Sequence, residues 1–557
     1  MSRAEVWAPK ATRVELLTPD RQTEMEPVGD GWFRSPHELE PGGDYGFRLD
    51  GGGPLPDPRS QWQPRGPSAP SRVLDHAAFA WTDGRWSGVH LPSSVIYELH
   101  VGTFSAAGTF LGVIEHLDHL LELGIGVIEV MPIAAFDGVR GWGYDGVSLF
   151  APHEPYGGPE AFKRLVDSAH ARGLGVVLDV VYNHFGPTGN HLGQFGPYTF
   201  AGHQTPWGDG VNLDGPDCAP VRRFFLDNAR HWFEHYHVDG LRLDAVHALV
   251  DESDHHFLAD LAAETDALAT HVGRPLWLIA EYPTTTPIGV TSADAGGHGL
   301  DAEWRDEVHH SLHAWLTGER SGYYSDYGRV ADLAEAMTGP KEPLSRSRFV
   351  VCAQNHDQVG NRARGERLAH LLDPGLAKVA AALVLLSPFV PLLFMGEEWA
   401  ASSPFPYFAG PRSDDLDDAV RHGRREEFAS FGWDPSTIPE PIDPATFDSA
   451  RLDWSETADT DHRTMFEWYR ALISLRRAHP ELSDPRPLST GVDEHDSENS
   501  LVMWRGDTAI AVNTDSAPAH VSLDGARGRR VLLASEPAAL TDDGVLLAAR
   551  SVAVVGR

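Results

Sequence analysis

Between residues 95 and 479, short apolar runs alternate with amphipathic stretches, and this alternation limits the folds open to the chain. The pattern is typical of parallel strands that are each followed by a covering helix. The runs predicted as strands are residues 95–99, 127–130, 176–181, 241–243, 276–280, a weak run near 300, 349–353 and 392–395. Eight strand–helix units form a closed barrel more readily than an open sheet. The sequence therefore predicts an α/β protein built on a (β/α)8 TIM barrel.

The structural alternative is an open, doubly wound sheet. Folds of that kind place a glycine-rich turn after the first strand, where its backbone binds phosphate. No such turn follows residues 95–99. The closed barrel is therefore the favoured interpretation.

Both ends of the chain show strand patterns without helices. Residues 1–90 carry short β-type runs broken by Gly, Pro and Asp, and the stretch 51–70 is so rich in proline and glycine that we predict a linker there. After Pro480 the helical pattern stops and strand-like runs return. The expected domains are an N-terminal β-sandwich with its proline-rich linker at 1–90, the catalytic barrel at 91–482 and a C-terminal β-sandwich at 483–557.

Charge and composition exclude several classes of partner. The chain of 557 residues has 80 acidic and 45 basic residues, a formal net charge of −35, and so it would repel nucleic acids and anionic membrane surfaces. It has two cysteines, no signal-peptide pattern, and no apolar run near the ~20 residues of a membrane span. We therefore expect a cytoplasmic protein that binds neither nucleic acid nor membrane.

Three carboxylates stand where predicted barrel strands end. Asp244 ends the fourth strand, Glu281 ends the fifth, and Asp357 follows the seventh. Acidic residues are depleted in strands, whereas the catalytic groups of barrel enzymes lie at the carboxyl ends of the strands. Neighbouring strands are ~4.8 Å apart, so Asp244 and Glu281 could reach the ~5–5.5 Å separation of the two carboxyl groups in retaining glycosidases. The trio predicts a site that cleaves glycosidic bonds.

Basic and imidazole side chains accompany this trio. Arg242 lies two residues before Asp244 and hence on the same side of the strand, where it would keep that carboxylate ionised; an ion pair without chemistry is the alternative. His184 follows the third strand, and His356 precedes Asp357. Both imidazoles could bind sugar hydroxyls, although packing is the commoner role of a single histidine. We interpret both as binding residues.

Four segments of the chain together resemble the α-amylase family of glycoside hydrolases. They are residues 179–184 (DVVYNH), 240–244 (GLRLD), 280–281 (AE) and 355–357 (NHD). Their order and their positions at strand ends match the family pattern, and four separate segments are far more specific than one motif. The resemblance implies that Asp244 is the nucleophile, that Glu281 is the general acid/base, and that Asp357 clamps the sugar and stabilises the transition state.

The same resemblance suggests which residues bind the substrate. The candidate binding residues are Tyr144, His184, Arg242, His247, His356 and Gln358. Tyr144, within residues 142–146 (WGYDG), matches the aromatic residue on which a sugar ring stacks, and packing at the barrel mouth is its alternative role. Retaining hydrolysis through two carboxylates requires no cofactor.

Histidine groups elsewhere in the chain do not predict a metal site. His309, His310 and His313 lie on one predicted helix, and His255 and His256 follow acidic residues, but neither group has convincing metal-ligand spacing. We expect a solvated helix face. A complete set of calcium-ligand oxygens is not recognisable either, and so no metal is predicted.

Finer motifs narrow the choice of substrate. Residues 354–362 (QNHDQVGNR), 365–368 (GERL), 394–399 (FMGEEW) and 403–408 (SPFPYF) are similar to those of family members that release trehalose. Residues 97–104 (YELHVGTF) are shared with branching enzymes. Branching enzymes are expected to carry Glu after the third aspartate, where this chain has Gln358. That difference favours a hydrolase.

The resemblance thus implies hydrolysis of the α-1,4 bond next to the terminal trehalose of maltooligosyl trehalose. Free trehalose would be released, and the pathway partner would be maltooligosyl trehalose synthase. The alternatives are an α-1,4-glucan branching enzyme or another transferase of the family, and a glucan-binding protein without catalysis.

Overall fold

Eight parallel strands close into a barrel at the centre of the chain. In order around the barrel they are Ile96–Leu99, Val127–Val130, Gly175–Val180, Gly240–Leu243, Trp277–Ala280, Ala302–Trp304, Phe349–Cys352 and Val390–Phe394. Leu393 of the last strand lies opposite Tyr97 of the first, which closes the sheet. The structure is a computed structural model that describes residues 2–283, 286–410, 414–429, 431, 433–486, 490–494 and 499–557. The predicted barrel is confirmed.

The barrel strands are apolar because both of their faces are covered. Every residue of Val127–Val130 is buried, as parallel strands enclosed by helices require. The covering helices show the expected apolar faces. In Cys218–His235, for example, Val221, Phe225 and Trp232 recur at helical spacing and are all buried.

The helices follow the strands and form the outer layer. The α-helices of the described residues are Val101–Phe104, Phe110–Ile114, Leu117–Leu123, Gly158–Ala171, Leu192–Phe195, Cys218–His235, Phe257–Val272, Asp306–Thr317, Val330–Thr338, His356–Gly360, Leu368–Leu371, Pro374–Leu385, Asp414–Ala429, Pro444–Ser449 and Thr460–Ala478. None of these helices is long and apolar enough to cross a lipid bilayer. A hairpin, Thr199–Thr205 with Gly208–Val211, extends from the connection after the third barrel strand.

Two antiparallel sheets precede the barrel. One contains Ser2–Trp7, Trp32–Leu39 and Glu26–Gly29, and the other contains Arg21–Glu24, Val14–Thr18, Asp44–Leu49, Pro54–Leu55 and Ser71–Arg72. The proline-rich stretch that we predicted as a linker is packed rather than free. Its residues Pro54–Leu55 form a strand, and the buried carboxylate of Asp57 accepts a hydrogen bond of 2.7 Å from the Tyr45 hydroxyl.

Two further sheets follow the barrel and pack face to face. The larger contains Thr490–Glu494, Ser500–Arg505, Thr508–Asn513, Ser551–Gly556 and Arg530–Ala534, and the smaller contains Ala519–Ser522, Gly544–Leu547 and Ala539–Leu540. Val502 and Ala511 of the larger sheet share an apolar cluster with Val521 and Val545 of the smaller. The returning strand pattern after Pro480 therefore forms a β-sandwich.

The prediction of a solvated histidine face on the helix Asp306–Thr317 is wrong. His309 and His313 are buried. The Nδ1 atom of His309 lies 2.7 Å from the carbonyl oxygen of Ala353, and its Nε2 atom lies 3.0 Å from the Tyr324 hydroxyl. The helix packs over the end of the seventh strand, so protein groups rather than water satisfy these rings.

Candidate active site

One guanidinium joins three carboxylates at the carboxyl ends of the barrel strands. Arg242 Nη1 donates to Asp244 Oδ1 and to Asp179 Oδ2, both at 2.8 Å, and Nη2 donates to Glu281 Oε2 at 2.8 Å. The Arg242 side chain is fully buried, with its guanidinium carbon 4.3 Å from the centroid of the Trp304 ring. Asp244 and Glu281 are therefore held beside each other, as their positions on neighbouring strands predict.

A tight turn after the fourth strand fixes Glu281. Ala245 has a φ of 40°, in the left-handed region that costs a residue with a side chain about 1–3 kcal/mol. In this conformation its N–H donates to Glu281 Oε2 at 2.8 Å, while the Val246 N–H donates to the Glu281 carbonyl oxygen at 3.1 Å. Glu281 Oε1 accepts no hydrogen bond from the residues that the structure describes. This second oxygen is available to a substrate.

Asn183 also orients Asp244. Asn183 Nδ2 donates to Asp244 Oδ2 at 2.7 Å and to its carbonyl oxygen at 2.8 Å. Together with the bond from Arg242, these contacts fix both carboxylate oxygens. The side chain of Asp244 is 11% exposed, so it reaches the surface of the cleft while its charge stays partnered.

A chain of hydrogen bonds links the first, second, third and seventh strand connections. The backbone N–H of His356 donates to Glu98 Oε2 at 2.9 Å, and its Nδ1 donates to Glu98 Oε1 at 2.5 Å. On the other side, His356 Nε2 lies 2.7 Å from the Tyr144 hydroxyl, which donates to Asp179 Oδ2 at 2.6 Å. Burial opposes a charged ring, but the carboxylates of Asp357 and Glu98 outweigh it and raise the pKa of His356 to about 10. His356 is an imidazolium at neutral pH.

Asp357 is the most exposed member of the carboxylate trio. Its side chain is 37% exposed, and its Oδ1 atom lies 3.5 Å from His356 Nε2 and 3.4 Å from Asn361 Nδ2. Asp357 stands in the first turn of the helix His356–Gly360, where Asn355 Oδ1 accepts its backbone N–H at 2.9 Å. The carboxylate is thus placed at the edge of the cleft.

Gln358 makes hydrogen bonds with protein groups next to Asp357. Its Oε1 atom accepts the Asn355 N–H at 3.1 Å, and its Nε2 atom donates to Asp306 Oδ1 at 3.1 Å. Gln358 also lines the cavity beside Asp357. Gln358, which we predicted to distinguish hydrolases from branching enzymes, therefore stabilises the turn that carries Asp357.

Burial raises the pKa of several carboxyl groups at this site. It raises the pKa of Glu281 above its ordinary value, with Arg242 opposing and the charge of Asp244 adding to the effect. It also raises the pKa of Asp179 to about 7 against the influence of Arg242. The pKa of Asp306 rises to about 7 through burial and the nearby charges of Glu281 and Asp357.

His184 and His247 lie at different distances from the trio. His184 contacts the site: its Nε2 atom is 3.0 Å from the carbonyl oxygen of Tyr144, and its ring stacks on Trp207 with centroids 4.8 Å apart. Trp207, at the tip of the hairpin after the third strand, is 49% exposed. His247 is exposed on the short turn Val246–Ala248 that follows Asp244. The structure thus brings His184 to the cleft wall and leaves His247 in solvent.

A cavity of about 250 Å³ opens beside the carboxylates. Its lining includes Pro283, Asp306, Tyr323, Tyr324, Asp357 and Trp433. Three of these side chains are aromatic, and aromatic faces with a few convergent polar groups are typical of ligand sites. The cavity lies on the side of Glu281. Two of its lining residues show this: Pro283 closely follows Glu281 in the chain, and the charge of Glu281 contributes to the raised pKa of Asp306.

Four residues that were not predicted from the sequence position the groups of this site. Glu98 anchors His356, Asp179 and Asn183 anchor Arg242 and Asp244, and Trp304 covers the guanidinium. The pattern that identified the three carboxylates, an acidic residue in or at the end of a predicted apolar strand, is also present at Glu98 and Asp179. Asn183 stood within a segment that resembled the family pattern. Trp304 had no comparable signal.

Fold and site identify the class of protein. Paired carboxylates, one in a site that raises its pKa, are what glycoside cleavage requires, and here they stand at the carboxyl ends of barrel strands. The family model of the alpha-amylase catalytic domain matches residues 77–194. The molecule is a glycoside hydrolase of the α-amylase family.

Relatives of nearly full length define the group within that family. Malto-oligosyltrehalose trehalohydrolase of Arthrobacter ramosus is 46% identical over 543 residues, 93% of this chain and 94% of that protein. The enzyme of the same name from Rhizobium sp. (strain M-11) is 45% identical and covers 97% and 95%. A crystal structure of a candidate alpha amylase from Salmonella typhimurium superposes with a TM-score of 0.90 at 36% identity, covering 100% of this chain and 97% of that one. The chain belongs to the malto-oligosyltrehalose trehalohydrolase family.

Proposed function

We propose that this protein hydrolyses the α-1,4-glucosidic bond next to the terminal trehalose of maltooligosyl trehalose and releases free trehalose. One observation supports the chemistry most strongly: the guanidinium of Arg242 bonds both Asp244 and Glu281, at 2.8 Å each. The near full-length similarity to trehalohydrolases supports the choice of substrate.

The first half of the reaction uses the two carboxylates in different protonation states. Asp244, paired with Arg242 and Asn183, attacks the anomeric carbon as a carboxylate. Glu281, with its raised pKa, donates its proton to the glycosidic oxygen through Oε1. The bond between the anomeric carbon and that oxygen breaks, trehalose leaves with the proton, and a glycosyl ester forms on Asp244.

In the second half, Glu281 has become the carboxylate that activates water. It accepts a proton from the water as the oxygen of that water bonds to the anomeric carbon, and the ester bond to Asp244 breaks. The enzyme returns to its starting state, and the glucan is released with its anomeric configuration retained. Protein side chains carry every proton transfer.

The other candidate residues position the sugar that is attacked. We propose that Tyr144 offers its ring as a platform, because its hydroxyl is anchored to Asp179 and His356. His356, His184 and Asp357 would bind sugar hydroxyls at the same position, and Arg242 holds the Asp244 carboxylate through a hydrogen bond of 2.8 Å. His247 remains a predicted binding residue. Because it is exposed, a glucan would contact it at the surface of the protein.

The cavity beside Glu281 suits the leaving group. The acid protonates the oxygen of the group that departs, so the departing trehalose lies on the side of Glu281. The exposed ring of Tyr323, beside Trp433 in the same lining, offers a face on which a glucose ring could stack. Gln358 and Asp306 supply polar contacts at the same wall.

The proposal extends to the organisation and setting of the protein. We propose that the domains divide near residues 90 and 482, with the flanking β-domains framing the catalytic barrel. Both cysteines, Cys218 and Cys352, are free thiols, which fits a reducing cytoplasm. The pathway partner would be the synthase that forms the terminal trehalose.

The proposal is tested with two substrates of equal length. With maltotriosyl trehalose, we expect free trehalose and maltotriose to appear much faster than any product appears from maltopentaose. Chromatography of timed samples measures both rates. Similar rates would define an ordinary amylase instead, and longer or branched glucans among the products would define a transferase.

The pH dependence follows from the raised pKa of Glu281. Because the first step needs the acid form, we expect kcat/KM to fall as pH rises through this pKa. The fall should be centred above ~4.3, the ordinary pKa of a glutamic acid, since burial raises the value. Measuring kcat/KM for maltotriosyl trehalose against pH checks this, and an alkaline limb centred at or below ~4.3 would contradict it.

A further inference from the structure

Three histidines converge at the end of the barrel opposite the catalytic carboxylates. His231 and His235 lie one turn apart at the end of the helix Cys218–His235, which leads into the amino end of the fourth barrel strand. His76 lies in the segment between the N-terminal sheets and the barrel. The ring centroids of His76 lie 5.3 Å from His231 and 4.2 Å from His235. One ligand atom from each residue lies within 4.8 Å of the other two.

Several buried polar atoms at this cluster have no partner. Neither ring nitrogen of His76, nor the hydroxyl of Tyr236, makes a hydrogen bond with the residues that the structure describes. The Tyr236 ring packs against both His76 and His231. Buried polar groups are normally satisfied, so unpaired ring nitrogens that face other imidazoles point to a missing ligand.

His231 is already arranged as metal-bound histidines are. Its Nε2 lies 2.9 Å from the carbonyl oxygen of Phe150 and donates to it, which leaves the lone pair of Nδ1 free. Ligating histidines commonly donate their other ring N–H to a backbone carbonyl or a carboxylate.

We propose that His76, His231 and His235 bind one divalent transition-metal ion, with zinc as the best match. Imidazole nitrogens suit zinc, and three histidines with a water molecule form a known zinc coordination set. Bonds of about 2.0–2.1 Å place the nitrogens on zinc ~3.4 Å apart. Because the rings of His76 and His235 stack at an interplanar angle of 15°, one of the two rings must turn out of the stack for both to bind one ion. The buried hydroxyl of Tyr236 can then hydrogen bond the metal-bound water.

The metal would attach the segment that contains His76 to the barrel. His76 comes from the segment that joins the N-terminal sheets to the first barrel strand, whereas the other two ligands come from a barrel helix. Lys163 donates from Nζ to the His76 carbonyl oxygen at 3.1 Å, so the same segment is already held at one point. The cluster lies at the end of the barrel opposite the carboxylates, and the role is therefore structural attachment rather than catalysis.

This cluster is not visible in the sequence, because His76 and His231 are 155 positions apart and meet only in the folded chain. The prediction of no metal applied to the whole chain, and the proposed site departs from it.

The test compares zinc binding by the full chain and by three variants. After treatment with a chelator and its removal, ZnCl2 is titrated by calorimetry, and thermal unfolding is followed with and without zinc. His76→Ala and His235→Ala remove ligands whose side chains are only partly buried. His271→Ala removes an exposed histidine on the neighbouring helix Phe257–Val272 and is the matched control.

We expect the wild-type chain and His271→Ala to bind one zinc ion per chain with micromolar or tighter affinity and to gain a few degrees in Tm. His76→Ala and His235→Ala should each bind at least tenfold more weakly and lose the gain in Tm. Hydrolytic activity should be the same in all four proteins. Absence of zinc binding by the wild type, or unchanged binding in both ligand variants, would overturn the proposal.

Discussion

The Asp244→Asn variant is expected to lose turnover on maltotriosyl trehalose by a factor on the order of 10⁴ or more, as removal of a catalytic nucleophile does. An amide cannot form the glycosyl ester, and the described site offers no second carboxylate in its place. Arg242 keeps Asp179 and Glu281 as partners, so the fold should survive. Steady-state kinetics measures the loss of turnover, and the unfolding temperature of the same sample measures the stability of the fold.

Asp301→Asn is the matched control for that variant. Asp301 is another largely buried aspartate, but it accepts the Leu278 N–H at 2.9 Å at the opposite end of the barrel. Its change should leave kcat nearly unaltered. Activity of Asp244→Asn within tenfold of wild type would refute the assignment of the nucleophile. An equal loss of turnover in Asp301→Asn would show that the loss comes from damage to the fold.

The Glu281→Gln variant is expected to lose about 10²–10⁴-fold in kcat on the natural bond, because the leaving oxygen is no longer protonated. The loss should depend on the leaving group. An α-glucoside of 4-nitrophenol departs without a proton, so its first step should be much less affected, and the ester on Asp244 should accumulate because the base for water is missing. A burst of nitrophenol in stopped-flow measurements would report this.

The two variants are thus distinguished by their substrates. For Asp244→Asn the loss should be similar for both leaving groups, since the nucleophile is needed for each. Equal losses for both leaving groups in Glu281→Gln would contradict its role as the acid. Added azide, a nucleophile that needs no base, should speed release of the ester in Glu281→Gln alone.

The barrel was predictable because its signal is local. Each buried strand is a short run of apolar residues bounded by turn residues, and this pattern can be recognised in the sequence alone. The sixth strand was the weakest prediction, and the structure shows the reason: Ala302–Trp304 has three residues, one of them the buried acid Glu303. A short strand with a charged residue leaves little apolar pattern to detect.

The contact between Arg242 and Asp244 was predictable for a similar reason, whereas the contacts of the surrounding residues were not. Arg242 and Asp244 are two residues apart on one strand, so their contact follows from strand geometry. Glu98 and His356 are separated by 258 positions, and only closure of the barrel brings their strands together. Gln358 likewise meets Asp306 across 52 positions, so its second role in bracing the turn of Asp357 was not visible in the sequence.

The central claim is that Asp244 and Glu281 release trehalose by double displacement. The most direct test is a proton NMR time course of the wild-type enzyme with maltotriosyl trehalose, recorded before the anomers equilibrate. The account predicts that free trehalose appears together with the α-anomer of maltotriose. Initial formation of the β-anomer, or release of glucose or maltose in place of trehalose, would contradict it.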